Sequence, residues 1–68
     1  NFYPNPASGF IKIEGRGYKE VKLSSLTGHL LIEVYENKNQ IMLTVNELPT
    51  GIYLLNINGK THKVFINR

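Results

Sequence analysis

The chain has 68 residues, no cysteine and a formal net charge of +3, so it forms at most one domain and has no disulfide. Its basic residues are spread along the sequence, which is typical of solvated strand faces, with an anion-binding surface as the alternative. No apolar run approaches the roughly 20 residues of a membrane-spanning helix. Because the chain opens with neither Met nor a signal-peptide pattern, we expect it to come from a longer protein.

The first nine residues, NFYPNPASG, predict an extended leader to a β-domain over residues 10–68. Pro4 and Pro6 remove backbone donors and disfavour a helix or a central strand. One interpretation is an edge strand or strap, since Phe2 and Tyr3 are apolar enough to pack on the domain edge. The other is a linker that processing machinery reads.

Alternation of apolar and polar residues then predicts half-buried strands. The inward residues are Ile11 and Ile13, then Val21 and Leu23, then Leu30, Ile32 and Val34, then Ile41, Leu43 and Val45, and finally His62, Val64 and Ile66. Gly28 supplies a tight connection after the second of these strands. Residues 37–40 form a polar turn of hairpin length, and Asn58-Gly59 is a strong hairpin signal.

The densest apolar run, residues 48–58, predicts a central strand. Pro49 and Gly51 open it with a turn signal, and Tyr53, Leu55 and Ile57 share one face. Such a strand is covered on both sides, or carries apolar residues on a partly wet face. The chain therefore has about six to seven short strands in meander or Greek-key order, which predicts an all-β fold, a small sandwich or barrel.

The chemistry of an enzyme site is missing from the sequence. Without cysteine or aspartate, and with His29 and His62 in no ligand pattern, we expect no catalytic, cofactor or metal site. We also expect no nucleic-acid binding, because sheet packing explains the aromatic residues better than a basic–aromatic platform does.

Four segments, in order, resemble the type A C-terminal sorting domain of the type IX (Por) secretion system of Bacteroidetes. YPNPASG is similar to its first motif through Pro4, Asn5 and Pro6. LSSLTGHLL is similar to the second through Gly28, and LPTGIYLLNI to the third through Leu48, Pro49, Gly51 and Tyr53. KVFINR resembles the closing basic–apolar strand through Lys63, Val64, Phe65, Ile66 and Arg68, although the family often ends in lysine.

The resemblance implies an Ig-like β-sandwich that serves as an export signal. It implies a cargo that passes through the periplasm to the outer membrane, and then is secreted or held on the cell surface. It implies partners in the translocon, an outer-membrane shuttle barrel and a sortase, and a cargo often joined to anionic lipopolysaccharide. The residues quoted above are the expected recognition residues, with residues 63–68 and the turn at residues 48–53 as the surface that is read.

Other functions stay open from the sequence. A carbohydrate- or protein-binding accessory sandwich is one, and a retained structural Ig-like domain of a secretion-machinery component is another. If Pro49 and Gly51 only shape a turn and Tyr53 only fills the core, they carry no recognition. An open sheet edge also permits a strand-swapped or edge-paired homodimer.

Overall fold

A computed structural model of the chain describes Phe2–Tyr3 and residues 8–67. Within these residues the chain forms seven strands and no helix, as the sequence predicts. The strands are β1 (Phe2–Tyr3), β2 (Phe10–Glu14), β3 (Tyr18–Ser25), β4 (Leu30–Asn37), β5 (Gln40–Thr44), β6 (Gly51–Ile57) and β7 (Lys60–Ile66). Accordingly, no described segment offers a helix with the length and apolar character to cross a membrane.

The strands form two antiparallel sheets that face each other as a small β-sandwich. One sheet has three strands in the order β1-β2-β5, and the other has four in the order β4-β3-β6-β7. The expected all-β class is therefore confirmed. In the four-stranded sheet β3 and β6 are interior, while β4 and β7 are the two edge strands.

The core lies between the sheets and follows the period-two alternation of the strands. It consists of Ile11, Ile13, Val21, Leu23, Ile41, Leu43, Val45, Tyr53, Leu55, Val64 and Ile66. Cross-strand pairs place these residues on shared rows, as with Ile11 opposite Leu43 and Leu23 opposite Leu55. Since a slip of one residue would turn each such row outward, burial of the core fixes the register.

The apolar run at residues 48–58 supplies β6, an interior strand as predicted. Tyr53 and Leu55 are buried on its inner face, whereas Ile52 on its outer face is 46% exposed. Of the two arrangements that the sequence allowed, β6 therefore has the one with a partly wet outer face.

The polar turn predicted at residues 37–40 is present, but despite its hairpin length it does not close a hairpin. The turn joins β4 of the four-stranded sheet to β5 of the three-stranded sheet, so the two strands do not pair. The connection between β2 and β3 also changes sheets, and the two crossings meet where Gly15 N donates to Asn39 O at 3.0 Å. A short polar turn fixes only where the chain reverses, and here the pairing of β3 with β4 and of β2 with β5 decides the sheet.

A buried lysine joins these two crossings. Lys19 is only 3% exposed, and its ammonium donates to the carbonyl oxygens of Gly15 and Lys38 and, at 3.2 Å, to that of Gly17. An ammonium has three protons to donate, so these three acceptors compensate for the burial of its charge. The alternation of β3 places Lys19 on the inner face with Val21. The sequence analysis predicted only Val21 and Leu23 as inward residues of this strand.

The predicted Asn58-Gly59 hairpin is confirmed between β6 and β7. Both residues have positive φ, 50° and 88°, which is the signature of a type I′ turn. The Asn58 side chain also docks this turn on β3, because Glu20 N donates to Asn58 Oδ1 at 2.7 Å. In return, Asn58 N donates to Glu20 O at 2.9 Å.

The predicted inward face of β4 holds for Ile32 and Val34, which are half-buried against the core. It fails at Leu30, which is 50% exposed. The cause is an irregularity in the pairing of β3 with β4: Leu23 lies opposite Ile32, but Ser24 lies opposite Leu30. The extra residue in β4 disrupts the alternation there.

The start of the chain contributes an edge strand to the three-stranded sheet. Phe2 lies opposite Ile13, and its ring packs on that of His62 in β7 with centroids 5.1 Å apart. This pairing agrees with the edge-strand interpretation of the leader, and it places β1 next to the β7 side of the sandwich.

Candidate functional site

The register of the four-stranded sheet brings three of the sequence motifs together. Ser25, at the end of β3, lies opposite Tyr53, and Tyr53 lies opposite Val64. Gly51, at the start of β6, lies opposite Ile66 near the end of β7. We call this end of the sheet, formed by residues 25–31, 48–53 and 63–66, the motif end.

The turn at residues 25–29 closes the β3–β4 hairpin with short polar contacts. Gly28 has a φ of 95°, as its predicted role in a tight connection requires. Ser25 Oγ accepts from His29 N at 3.1 Å and lies 2.9 Å from Thr27 Oγ1. These contacts order an exposed loop that holds Leu26 at 56% exposure.

Tyr53 locks the segment that leads into β6. Its ring is in the core, and its hydroxyl donates to Pro49 O at 2.6 Å. Leu48 is half-buried against the core, while the Pro49 residue itself is exposed. The contact fixes the path of residues 49–53.

Gly51 has no conformational reason to be glycine. Its φ is not among the positive values. A Cβ at this position would meet its nearest neighbour, the Tyr53 ring, at 3.9 Å, which is ordinary van der Waals contact. The interpretation that Gly51 only shapes a turn therefore does not account for the residue.

The last strand presents its predicted residues on two faces. Val64 and Ile66 are buried, whereas Lys63 and Phe65 point outward and Phe65 is 41% exposed. Phe65 lies opposite Ile52, and Lys63 lies opposite Leu54. Val64 and Ile66 are thus core residues, whereas Lys63 and Phe65 lie on the outer face of the sheet.

Sequence reasoning missed the exposed aliphatic residues of the motif end. Leu26, Leu30, Leu31 and Ile52 are each more than 40% exposed, although none was a candidate. The signal for Ile52 was available, because a residue next to an inward tyrosine in a strand faces outward. Clustered apolar side chains on a surface mark an interaction site more often than isolated ones do.

A groove of about 410 Å³ runs along the outer face of the same sheet. Its lining comprises Glu20, Lys22, Ser24, Gly28, Leu54, Asn56, Gly59 and Thr61. None of these residues is aromatic. Nor do the described residues contain three or more His, Asp or Glu side chains grouped to hold a metal ion.

Among the described residues, an electrostatic perturbation lies on β4, away from the motif end. Tyr35 OH donates to Glu33 Oε2 at 2.6 Å, and this hydrogen bond, with the nearby carboxylate charge, raises the pKa of Tyr35 to about 12. The perturbed group is an exposed tyrosine with a carboxylate acceptor, which does not form a catalytic pair.

Some expected recognition residues lie outside the described part of the chain. They are Pro4, Asn5 and Pro6 of the first motif, and Arg68, the last residue of the sequence. The motif end is therefore built here from the second motif, the third motif and residues 63–66.

Comparison with known proteins identifies the family. No curated protein matches this chain. Residues 1–67 match the family described as the secretion system C-terminal sorting domain. This is a family of sorting signals for secreted or cell-surface cargo, and it is not an enzyme family. The chain belongs to the C-terminal sorting domains of the type IX secretion system.

Proposed function

We propose that the motif end is the surface by which the type IX translocon and its outer-membrane shuttle barrel recognise the folded chain. The cargo ahead of it crosses the periplasm of a Bacteroidetes cell, and a surface sortase cuts upstream of the sandwich and joins the cargo to anionic lipopolysaccharide. In this role the chain is an Ig-like domain that acts as a substrate of the machinery.

The observation that carries the proposal is the convergence of the motifs. The turn at residues 25–29, residues 48–53 and the end of β7 are distant in sequence and adjacent in the sheet. A receptor that binds this end contacts all three at once, so a signal of this kind depends on the folded sandwich. The exposed leucines and Ile52 supply the apolar area that such a contact needs.

A second support is the position of β7 at the edge of its sheet. An edge strand offers unpaired backbone groups to an incoming strand, which is a common mode of peptide recognition. Lys63 and Phe65 on its outer face would give such a contact charge and apolar specificity.

The experiment fuses the 68 residues behind a periplasmic reporter in a type IX-competent cell and measures the reporter at the surface. A fusion that stays inside contradicts the sorting role. Deleting residues 63–68 from a cargo is a coarser test, because it also removes Val64 and Ile66 from the core.

A matched pair of substitutions tests the recognition surface itself. Ile52→Thr removes an exposed apolar side chain at the motif end, and Met42→Thr removes one that is 53% exposed on β5. Threonine suits a strand, so both variants should keep their stability within about 1 kcal/mol. We expect Ile52→Thr alone to lower delivery, by about tenfold for a loss of 1.4 kcal/mol in binding. Equal delivery of the two variants would show that the recognition surface lies elsewhere on the domain.

A further inference from the structure

We propose that the four-stranded sheet continues from one copy of the chain to the next, through antiparallel pairing of β7 of one copy with β4 of a second. The inference concerns the purified chain alone and does not rest on the sorting role. The two edges that it joins lie on opposite sides of the same sheet.

Both edges are long and open to pairing within the described residues. β4 has eight residues and pairs only with β3, while β7 has seven residues and pairs only with β6. Neither strand contains a proline, which would interrupt a new ladder. Edges of this length are templates for strand addition unless charge opposes it.

The charges on the two edges are opposite. β4 carries Glu33 and Glu36 and no basic residue, whereas β7 carries Lys60 and Lys63 and no acidic residue. Pairing of β4 with β4, or of β7 with β7, would bring like charges together, which is unfavourable across strands. Charge therefore selects the pairing of β4 with β7.

The strand directions permit this pairing without turning the second copy over. β3 is antiparallel to both β4 and β6, and β6 is antiparallel to β7. β4 and β7 consequently run in opposite directions. A second copy in the same orientation thus presents its β4 antiparallel to β7, with the core faces of both copies on the same side.

One register satisfies both edges. Glu33 and Lys63 both lie on the outer face, because Glu33 is opposite Lys22 and Lys63 adjoins buried Val64. Placing Glu33 of one copy opposite Lys63 of the other also places Glu36 opposite Lys60.

The apolar residues agree with the same register. It sets the half-buried Ile32 opposite Val64. A shift of two residues, the smallest that keeps both faces in place, moves Glu33 opposite Thr61 or Phe65 and loses both ionic pairs.

The lysines are available for these pairs. The cross-strand neighbours of Lys60 and Lys63 are Ile57 and Leu54, neither of which carries a charge. On β4, Glu36 has only an exposed ion pair with Lys38 at 3.6 Å. Exposed pairs of this kind are weak and exchange readily.

The test uses charge reversal in two separate copies of the 68-residue chain, followed by analytical ultracentrifugation. The wild-type chain should grow in mass with concentration beyond a dimer, since the pairing uses different edges and does not close. Lys60→Glu with Lys63→Glu makes both edges acidic, and Glu33→Lys with Glu36→Lys makes both basic. Each variant alone should associate at least about tenfold more weakly than the wild-type chain.

Mixing the two variants should restore association, because every acidic edge then meets a basic one. Lys12→Glu with Arg16→Glu is the control for the Lys60 and Lys63 variant, since it lowers the net charge by the same amount without touching either edge. Circular dichroism confirms that each variant is folded.

Three outcomes overturn the proposal. The first is a wild-type chain that stays monomeric up to about 1 mM. The second is association that stops at a dimer. The third is association that survives charge reversal, or a mixture that fails to restore it. None of these bears on delivery of a reporter, so failure here and failure of the sorting role are separate results.

Discussion

The two ends of the four-stranded sheet are built differently. At the motif end, ordered turns hold apolar side chains out in solvent, among them Leu26, Leu30 and Ile52. At the other end, which we call the clamp end, the buried Lys19 and the exposed Asn58 direct their polar groups to backbone partners. The second and third sequence motifs fall at the first end, and neither residue of the clamp end belongs to them.

If the motif end acts as proposed, the difference separates two tasks within one small sandwich. At the clamp end, Lys19 binds backbone carbonyls where the chain changes sheets, and Asn58 docks the β6–β7 turn on β3. The motif end is held by Tyr53 and by the turn at residues 25–29, which leaves apolar surface over for a partner. Substitutions at the clamp end should therefore act through stability, and those at the motif end should act on recognition as well.

The largest effect is expected at the clamp end, from Lys19→Met. The variant leaves the carbonyls of Gly15, Gly17 and Lys38 without their charged donor. Loss of such hydrogen bonds should lower the free energy of unfolding by about 2–3 kcal/mol. Chemical denaturation measures the change.

Lys60→Met is the control for that substitution, because it removes an exposed lysine with a change within about 0.5 kcal/mol. Equal stability of the two variants would show that the hydrogen bonds of Lys19 contribute little to the free energy of unfolding. If the folded fraction of the Lys19 variant were delivered poorly, the division between the two ends would also be wrong.

A smaller effect is expected at the motif end, from Tyr53→Phe. The ring stays in the core, but the hydrogen bond to Pro49 O is lost. We expect a loss of about 1 kcal/mol, which lowers Tm by about 4–8 °C in a domain of this size.

Tyr18→Phe, at a residue 59% exposed, is the matched control for stability. Delivery of a fused reporter gives the second readout. A fall in delivery beyond the loss of folded protein indicates that the path of residues 49–53 is itself read. A fall in delivery that equals the loss of folded protein indicates that Tyr53 acts only as a core residue.

The smallest effect concerns the titration of Tyr35, between the two ends. Its hydrogen bond to Glu33 raises its pKa to about 12 from the usual 10.0. Because the folded-state pKa is raised, the stabilisation is complete below pH 10 and is lost as pH rises through the folded value. Glu33→Gln should bring the pKa down toward 10.0, as followed by the ultraviolet absorbance of tyrosinate.

Glu36→Gln is the control for this titration, because it makes the same charge change one residue beyond Tyr35. An unchanged tyrosine titration in the Glu33 variant would show that the hydrogen bond does not persist in solution.

Strand positions and the core were predictable because they follow local alternation. Val21 with Leu23, and Val64 with Ile66, are inward as the period of two requires. The Asn58-Gly59 turn was predictable because few residue pairs accept positive φ twice.

Choice of sheet was harder to predict, since it depends on partners distant in sequence. The turn at residues 37–40 has the length of a hairpin, and only the pairing of β2 with β5 shows that it changes sheets. Burial of Lys19 was missed for a related reason, because its three acceptors come from two separate connections. The motifs at the motif end were recognisable singly, but their adjacency required the register of β3, β6 and β7.

The pairing of β3 with β6 has a consequence for synthesis. β3 is made early, but its partner emerges only after β4 and β5. A nascent or truncated chain that stops before Gly51 contains the turn at residues 25–29 and lacks the two strands beside it. Such nonlocal pairing forms late, once the loop between the partners can close. An unfinished chain that lacks β6 and β7 therefore cannot assemble the motif end.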